Sequence, residues 1–226
     1  MTELTVVTGA AGALGRAVLD EFLARGATVV AMDRAGDRLD ALDALDGVHA
    51  VDVDLTDRAA VHQAWRRVDG LGRTSALVCV AGGFDGASLD DTDDAVLAAM
   101  LDTNVATALW CVQAAAERMR AAGGGAVVTI GSRTGVSGDG PVAYAAAKAA
   151  VVRLTEVLAG ELRPHRVRVN CVLPSVIDTP ANRTWMSPAA LAVAVAPAAI
   201  ARVAAFLCSA DAAPISGAAI PVYGDA

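Results

Sequence analysis

A chain of 226 residues with no composition break or polar linker suits one α/β domain with a sizeable core, so a single domain spanning 1–226 is expected. With an apolar fraction of 55% and an aromatic fraction of only 4%, its apolar residues are mostly Ala, Val and Leu, which excludes a disordered chain and suits helices packed on buried strands. Acidic residues outnumber basic ones by 25 to 18, and the formal charge of −7 repels nucleic-acid phosphates and anionic lipid, so neither is expected as a partner.

In chain order, Met1-Thr2-Glu3 runs straight into Leu4-Thr5-Val6-Val7 without a basic leader or long apolar run, and a cytoplasmic protein is expected. Short Val-rich segments predict seven strands, at Leu4–Thr8, Thr28–Met32, Val48–Val51, Ala76–Ala81, Ala126–Ile130, Val167–Val172 and Ala218–Val222. Between the first two, Leu14, Val18 and Phe22 recur at intervals of four on one helical face, and Gly26 follows where a helix would stop. Val61, Trp65 and Val68 mark another helix, and longer ones are predicted over about Asp91–Arg120 and Val142–Leu162. The segment Ala189–Cys208 is apolar enough to suggest a membrane helix, but Arg202 and Pro197 interrupt it, and two short helices are expected. Strands alternating with helices imply a doubly wound parallel sheet, in which ligands bind at the carboxyl ends of the strands.

Candidate chemistry sits at those ends. After the first strand the chain reads Thr8-Gly9-Ala10-Ala11-Gly12-Ala13-Leu14-Gly15, where glycines permit a tight turn and bring a pyrophosphate against the free amides of the following helix. Gly9, Gly12, Leu14 and Gly15 are therefore candidate cofactor-binding positions. The second strand ends in Asp33, about 20 residues beyond the glycines, where a carboxylate accepts hydrogen bonds from ribose hydroxyls and repels a 2′-phosphate. Arg34 beside it could accommodate that phosphate, but the turn carries no basic residue, so NAD(H) is favoured over NADP(H).

Lys148 is the only lysine among the 18 basic residues. It follows Tyr144 by four residues, so on a helix both face the same way, and the ammonium is expected to lower the tyrosine pKa. Tyr144 would then serve as general acid toward a carbonyl oxygen or base toward an alcohol, with Ser132 at a strand end able to hydrogen-bond that oxygen.

With these motifs the chain resembles the short-chain dehydrogenase/reductase family from Thr5 to Gly224. The resemblance implies a single-domain Rossmann fold and hydride transfer between nicotinamide and a small carbonyl or alcohol substrate, with a catalytic set of Asn104, Ser132, Tyr144 and Lys148. It also implies that Asp54 and Leu55 contact adenine, that Ala81, Gly82 and Gly83 line the cofactor ribose, and that Pro174, Ile177 and Thr179 face nicotinamide. A cofactor half to about 130 and a catalytic and substrate half over 131–226 follow from it. Two features depart from the family pattern: the Gly9, Gly12, Gly15 spacing, and Val80 in place of the Asn that usually precedes Ala81-Gly82. Both occur in quinonoid dihydropteridine reductases, which the chain also resembles at Cys79-Val80-Ala81-Gly82-Gly83-Phe84 and at Asp178-Thr179-Pro180-Ala181-Asn182-Arg183; those enzymes usually lack equivalents of Ser132 and Asn104. A dihydropteridine-type reductase and a non-catalytic NAD-binding sensor are the alternative readings.

Between Thr179 and Pro197 the expected substrate lid is mostly Ala and Val, with Arg183 and Trp185 its distinctive side chains. Cys79, Cys111, Cys171 and Cys208 lie far apart in apolar runs and are expected to be reduced core residues. His49, His62 and His165 lack partners at ligand spacing, and Asp90, Asp91, Asp93 and Asp94 are placed to start a helix, so no metal is expected. The family resemblance and the Ala-rich helices together imply a homodimer or homotetramer.

Overall fold

The seven strands are β1 (Glu3–Thr8), β2 (Thr28–Asp33), β3 (Val48–Asp52), β4 (Arg73–Cys79), β5 (Gly125–Ile130), β6 (Val167–Pro174) and β7 (Ala219–Val222). The computed structural model, which describes residues 2–224, pairs them in one parallel sheet ordered β3-β2-β1-β4-β5-β6-β7. All of β1 after its first residue is buried, because helices cover both faces and leave no polar side to alternate with. Helices α1 (Ala13–Ala24), α2 (Asp37–Asp43) and α9 (Pro197–Cys208) pack on one face around Val7, Val29 and Val128. On the other lie α3 (Arg58–Asp69), α5 (Thr107–Ala121) and α6 (Val142–Leu162), around Leu4, Val6 and the fully buried Trp65.

The long helix expected from about Asp91 is built in pieces. It starts as α4 (Asp94–Leu101) because Asp93 caps it, its carboxylate accepting the Val96 amide at 2.8 Å. A wide π-helical turn over Asp102–Ala106 then joins it to α5. By length and composition 94–121 could cross a membrane. In this fold Cys111, Val112, Ala115 and Met119 of α5 are buried in the core on that face of the sheet. Strand β4 ends at Cys79, two residues short of expectation, because Val80 and Ala81 leave the ladder; the Ala81 amide donates to Thr8 Oγ1 at 3.3 Å. Helix α2 is too short for its apolar period to register in the sequence. The apolar segment near the C-terminus forms α8 (Pro188–Ala192) and α9, each opened by proline, with α7 (Pro180–Arg183) before them. Val195 between α8 and α9 bridges to Ile177, which ties the lid segment back to the sheet.

The chain winds outward through β2 and β3, then returns to β4 on the other side of β1, so a crevice opens above the carboxyl ends of β1 and β4. Gly9 sits there with φ +65°, and a Cβ on it would lie 2.6 Å from the Ala81 nitrogen. A Cβ on Gly15 would lie 2.7 Å from the Gly9 carbonyl carbon, so α1 approaches the turn only because this residue has no side chain. Gly15→Ala is expected to cost about 1–3 kcal/mol through overpacking against backbone, read as a lower urea midpoint; an unchanged midpoint would contradict this packing.

Candidate active site

One cavity occupies the crevice and receives residues from the carboxyl ends of β1, β2, β4, β5 and β6. At its nucleotide end stand Gly9, Gly12, Leu14 and Gly15, with Asp33, Arg34, Asp54 and Leu55 beyond them. No side chain caps the N-terminus of α1, whose N-cap is Gly12, so its first amides remain available to an anion. Asp33 Oδ2 accepts the Ala11 amide at 2.9 Å and Oδ1 the Arg34 amide at 2.8 Å, which fixes the carboxylate against the glycine turn. Asp54 is held ionised below the ordinary carboxylate range, chiefly by the hydroxyl and amide of Thr56. An uncapped helix end, a turn that a Cβ would fill and a fixed carboxylate fit a dinucleotide.

The end of the cavity where the candidate catalytic residues lie is built from β5 and α6. Ser132 follows β5 and is buried; its Oγ accepts the Thr134 amide at 3.2 Å, leaving the hydroxyl proton to donate elsewhere. Tyr144 and Lys148 lie one turn apart on α6 and both line the cavity. Lys148 is 6% exposed and donates to the Ile130 carbonyl at 3.0 Å, with Nζ 5.8 Å from the Tyr144 ring centroid. Gly135 makes room for this helix, since a Cβ on it would lie 2.7 Å from the Lys148 carbonyl carbon.

Burial changes the proton affinities in a way that spacing did not predict. The expected lowering of the tyrosine pKa is absent here: removal from water raises it, with the Ser132 hydroxyl acting in the opposite direction. The same desolvation brings the Lys148 ammonium down from 10.5 to about 8. Water is lost by both groups, and the ammonium is turned to a main-chain carbonyl instead of the phenol.

Ala81, Gly82, Gly83, Pro174, Ile177 and Thr179 complete the wall where the nicotinamide end is expected. Asn104 stands behind that wall. Its Nδ2 donates to Gly83 O at 3.1 Å and Met100 O at 3.0 Å, while Oδ1 accepts the Gly83 amide at 3.3 Å. It is 2% exposed in the middle of the π-helical turn, so its side chain holds the 81–83 loop and does not open into the cavity. Of the lid residues singled out from sequence, Trp185 lines the cavity, whereas Arg183 forms a bidentate pair with Asp178, at 2.5 and 2.8 Å. Phe84, a lining residue that sequence reasoning did not single out, meets the Tyr144 ring edge-on. The four cysteines are free, three of them buried.

A parallel sheet with a nucleotide crevice and a Tyr–Lys pair at its catalytic end defines a Rossmann-type, nicotinamide-dependent oxidoreductase. Residues 3–189 match the family model described as short chain dehydrogenase, and the chain belongs to the short-chain dehydrogenase/reductase family. It is 34% identical to a galactitol 2-dehydrogenase of Rhizobium johnstonii, covering 97% of this chain and 93% of that one. With a cis-2,3-dihydrobiphenyl-2,3-diol dehydrogenase of a Pseudomonas species it shares 36% identity over 78% of this chain and 67% of the relative. A Burkholderia thailandensis oxidoreductase of the family superposes with TM-score 0.90 at 36% identity, covering 99% of this chain and 92% of that one. The protein is a dehydrogenase of the alcohol type, acting on a small molecule by hydride transfer.

Because Lys148 is the only lysine, one lysine side-chain NMR resonance should titrate in the cofactor-free protein, with a midpoint near about 8. The depressed folded value means that the unfolded chain binds the proton more tightly between about 8 and 10.5, so this group makes stability rise with pH across that window. A resonance titrating above 10.5 would contradict the burial of the ammonium.

Proposed function

We propose that Tyr144 protonates the carbonyl oxygen in reduction and takes the proton back in alcohol oxidation, with Ser132 and Lys148 beside it and NAD(H) favoured over NADP(H). The observation that carries this reading is the convergence of Ser132, Tyr144 and Lys148 on one end of a cavity whose other end holds the glycine turn and Asp33. A bound nicotinamide supplies or accepts the hydride. The phenol, its proton affinity raised by burial, keeps its proton at neutral pH, the form that reduction needs. The free hydroxyl proton of Ser132 stabilises the oxygen as charge develops on it. Lys148 has spent one N–H on Ile130 O and retains others for a ribose hydroxyl and the phenol side of the site. Asn104 acts through the Gly83 backbone as a positioning residue. The division of labour falls near residue 130, with the cofactor held mainly before it and the substrate after it.

Asp33 supports the preference for NAD(H), because its carboxylate is fixed where a ribose phosphate would have to sit. Leu97 and Leu101 on α4, Val157 on α6 and Phe206 on α9 are exposed apolar side chains that support a homodimer or homotetramer. We place the enzyme in the cytoplasm, apart from membranes and nucleic acid; the net negative charge supports this.

Ser132→Ala should lower carbonyl reduction by about a hundredfold or more with little change in NADH affinity, and Tyr144→Phe should be at least as damaging. A Ser132→Ala enzyme at nearly full rate beside an inactive Tyr144→Phe would move the chemistry to that of a dihydropteridine-type reductase. Lys148→Arg should also lose most activity, because a planar guanidinium does not reproduce a compact ammonium in this buried place. Calorimetry should show tighter NADH than NADPH binding; the reverse order would assign the specificity to Arg34.

A further inference from the structure

We infer that the substrate is a ring-bearing secondary alcohol or its ketone, gripped between the exposed rings of Phe84 and Trp185, and not an acyclic polyol. This rests on the proposed placing of the reacting oxygen at Tyr144. Phe84 is 64% exposed, yet its ring meets Tyr144 edge-to-face, with centroids 5.0 Å apart at 72°. Its place is set from the backbone. Asn104 bonds both the amide and the carbonyl of Gly83, and a Cβ on Gly83 would lie 2.9 Å from Thr103 Oγ1, so the chain lies flat on the π-helical turn and delivers the next ring beside the phenol.

Trp185 lines the same cavity and is 61% exposed. It follows α7, whose first turn is tied by Thr179 Oγ1 accepting the Asn182 amide and by Asn182 Nδ2 donating to Ile177 O at 2.8 Å. Two wide, largely exposed rings lining one cavity match a flat or cyclic apolar body.

Polar accounting points the same way. Asn182 Nδ2 is spent on Ile177 O, and the hydroxyls of Thr103 and Thr107 donate to the carbonyls of Ala99 and Thr103. The guanidinium of Arg133 lies over the Tyr223 ring, 5.6 Å from its centroid. The lining carboxylates Asp33, Asp37 and Asp54 all sit at the nucleotide end. A ring carbinol brings one oxygen, which Ser132 and Tyr144 satisfy, and lays its ring on the two open aromatic side chains, whereas a polyol would set several hydroxyls against those apolar rings.

The test compares acetophenone with acetone as ketones for reduction, and 1-phenylethanol with the acyclic polyols galactitol and threitol for oxidation. The aromatic member of each set is expected to have the higher kcat/KM by about tenfold or more. Phe84→Ala and Trp185→Ala should each remove most of that advantage, mainly through KM. Phe84→Leu, which keeps apolar bulk without a flat ring, should fold normally and also lose ring preference. Galactitol, threitol or acetone used as well as the aromatic compounds would overturn the inference, as would ring preference surviving both substitutions. If the wild-type enzyme turned over none of them, the proposed chemistry would fail, and calorimetry would decide the grip by itself. Tighter binding of acetophenone to wild type than to Phe84→Ala would support it, and equal binding would refute it.

Discussion

The close approach of three backbone segments at the end of β1 is the constraint on which the rest depends. Gly9 at positive φ lies against the Ala81 amide, and Gly15 brings α1 down onto the Gly9 carbonyl. No side chain fits between them, so the turn stays thin enough for a helix N-terminus and a second strand's loop to face one crevice. Asp33 is drawn into the same arrangement through the Ala11 amide, which makes the ribose end part of the turn's own hydrogen bonding. The relatively weak requirement of a Val-rich sheet, that its strands be covered on both faces, thereby becomes a strict requirement at one corner.

At the other end of the crevice, burial sets the chemistry. Lys148 is tied to the main chain of β5 through Ile130 O and is removed from water by the sheet behind it. An ammonium in such a place gives up its proton more readily, and a phenol beside it holds on more firmly. The two groups are thus driven apart in proton affinity by desolvation before any ligand is considered. A nearby carbonyl, not a carboxylate, orients the lysine, so among the described residues no ion pair offsets the cost of burying it.

Asn104 connects fold and site. A carboxamide in an ordinary helical turn would meet the groove between neighbouring residues, whereas the wide turn over Asp102–Ala106 lets it reach Gly83 while still bonding Met100 O. The loop after β4 consequently owes its shape to a helix about 20 residues further along the chain, and with it the position of Phe84. A departure in helical pitch is translated into the placing of an aromatic ring beside the Tyr144 phenol.

What the sequence determined by itself was whatever depends on short-range periodicity. Val-rich runs separated by apolar repeats of three and four specify strands and helices, hence the parallel layers, and an interval of four places Tyr144 and Lys148 on one face of α6. Glycine spacing and Asp33 are legible for the same reason, since a strand, a tight turn and a helix follow one another directly. Strand ends and the broken helix at Asp102 were not legible, because ladder hydrogen bonds and a widened turn are decided by neighbours distant in sequence. Only the tertiary structure decided that Asn104 faces Gly83 instead of the cavity, that Arg183 turns to Asp178, and that Phe84 stands beside Tyr144. It also reversed the expected shift of the tyrosine, since proton affinity depends on how much water the assembled fold excludes, a quantity that spacing along the chain does not contain.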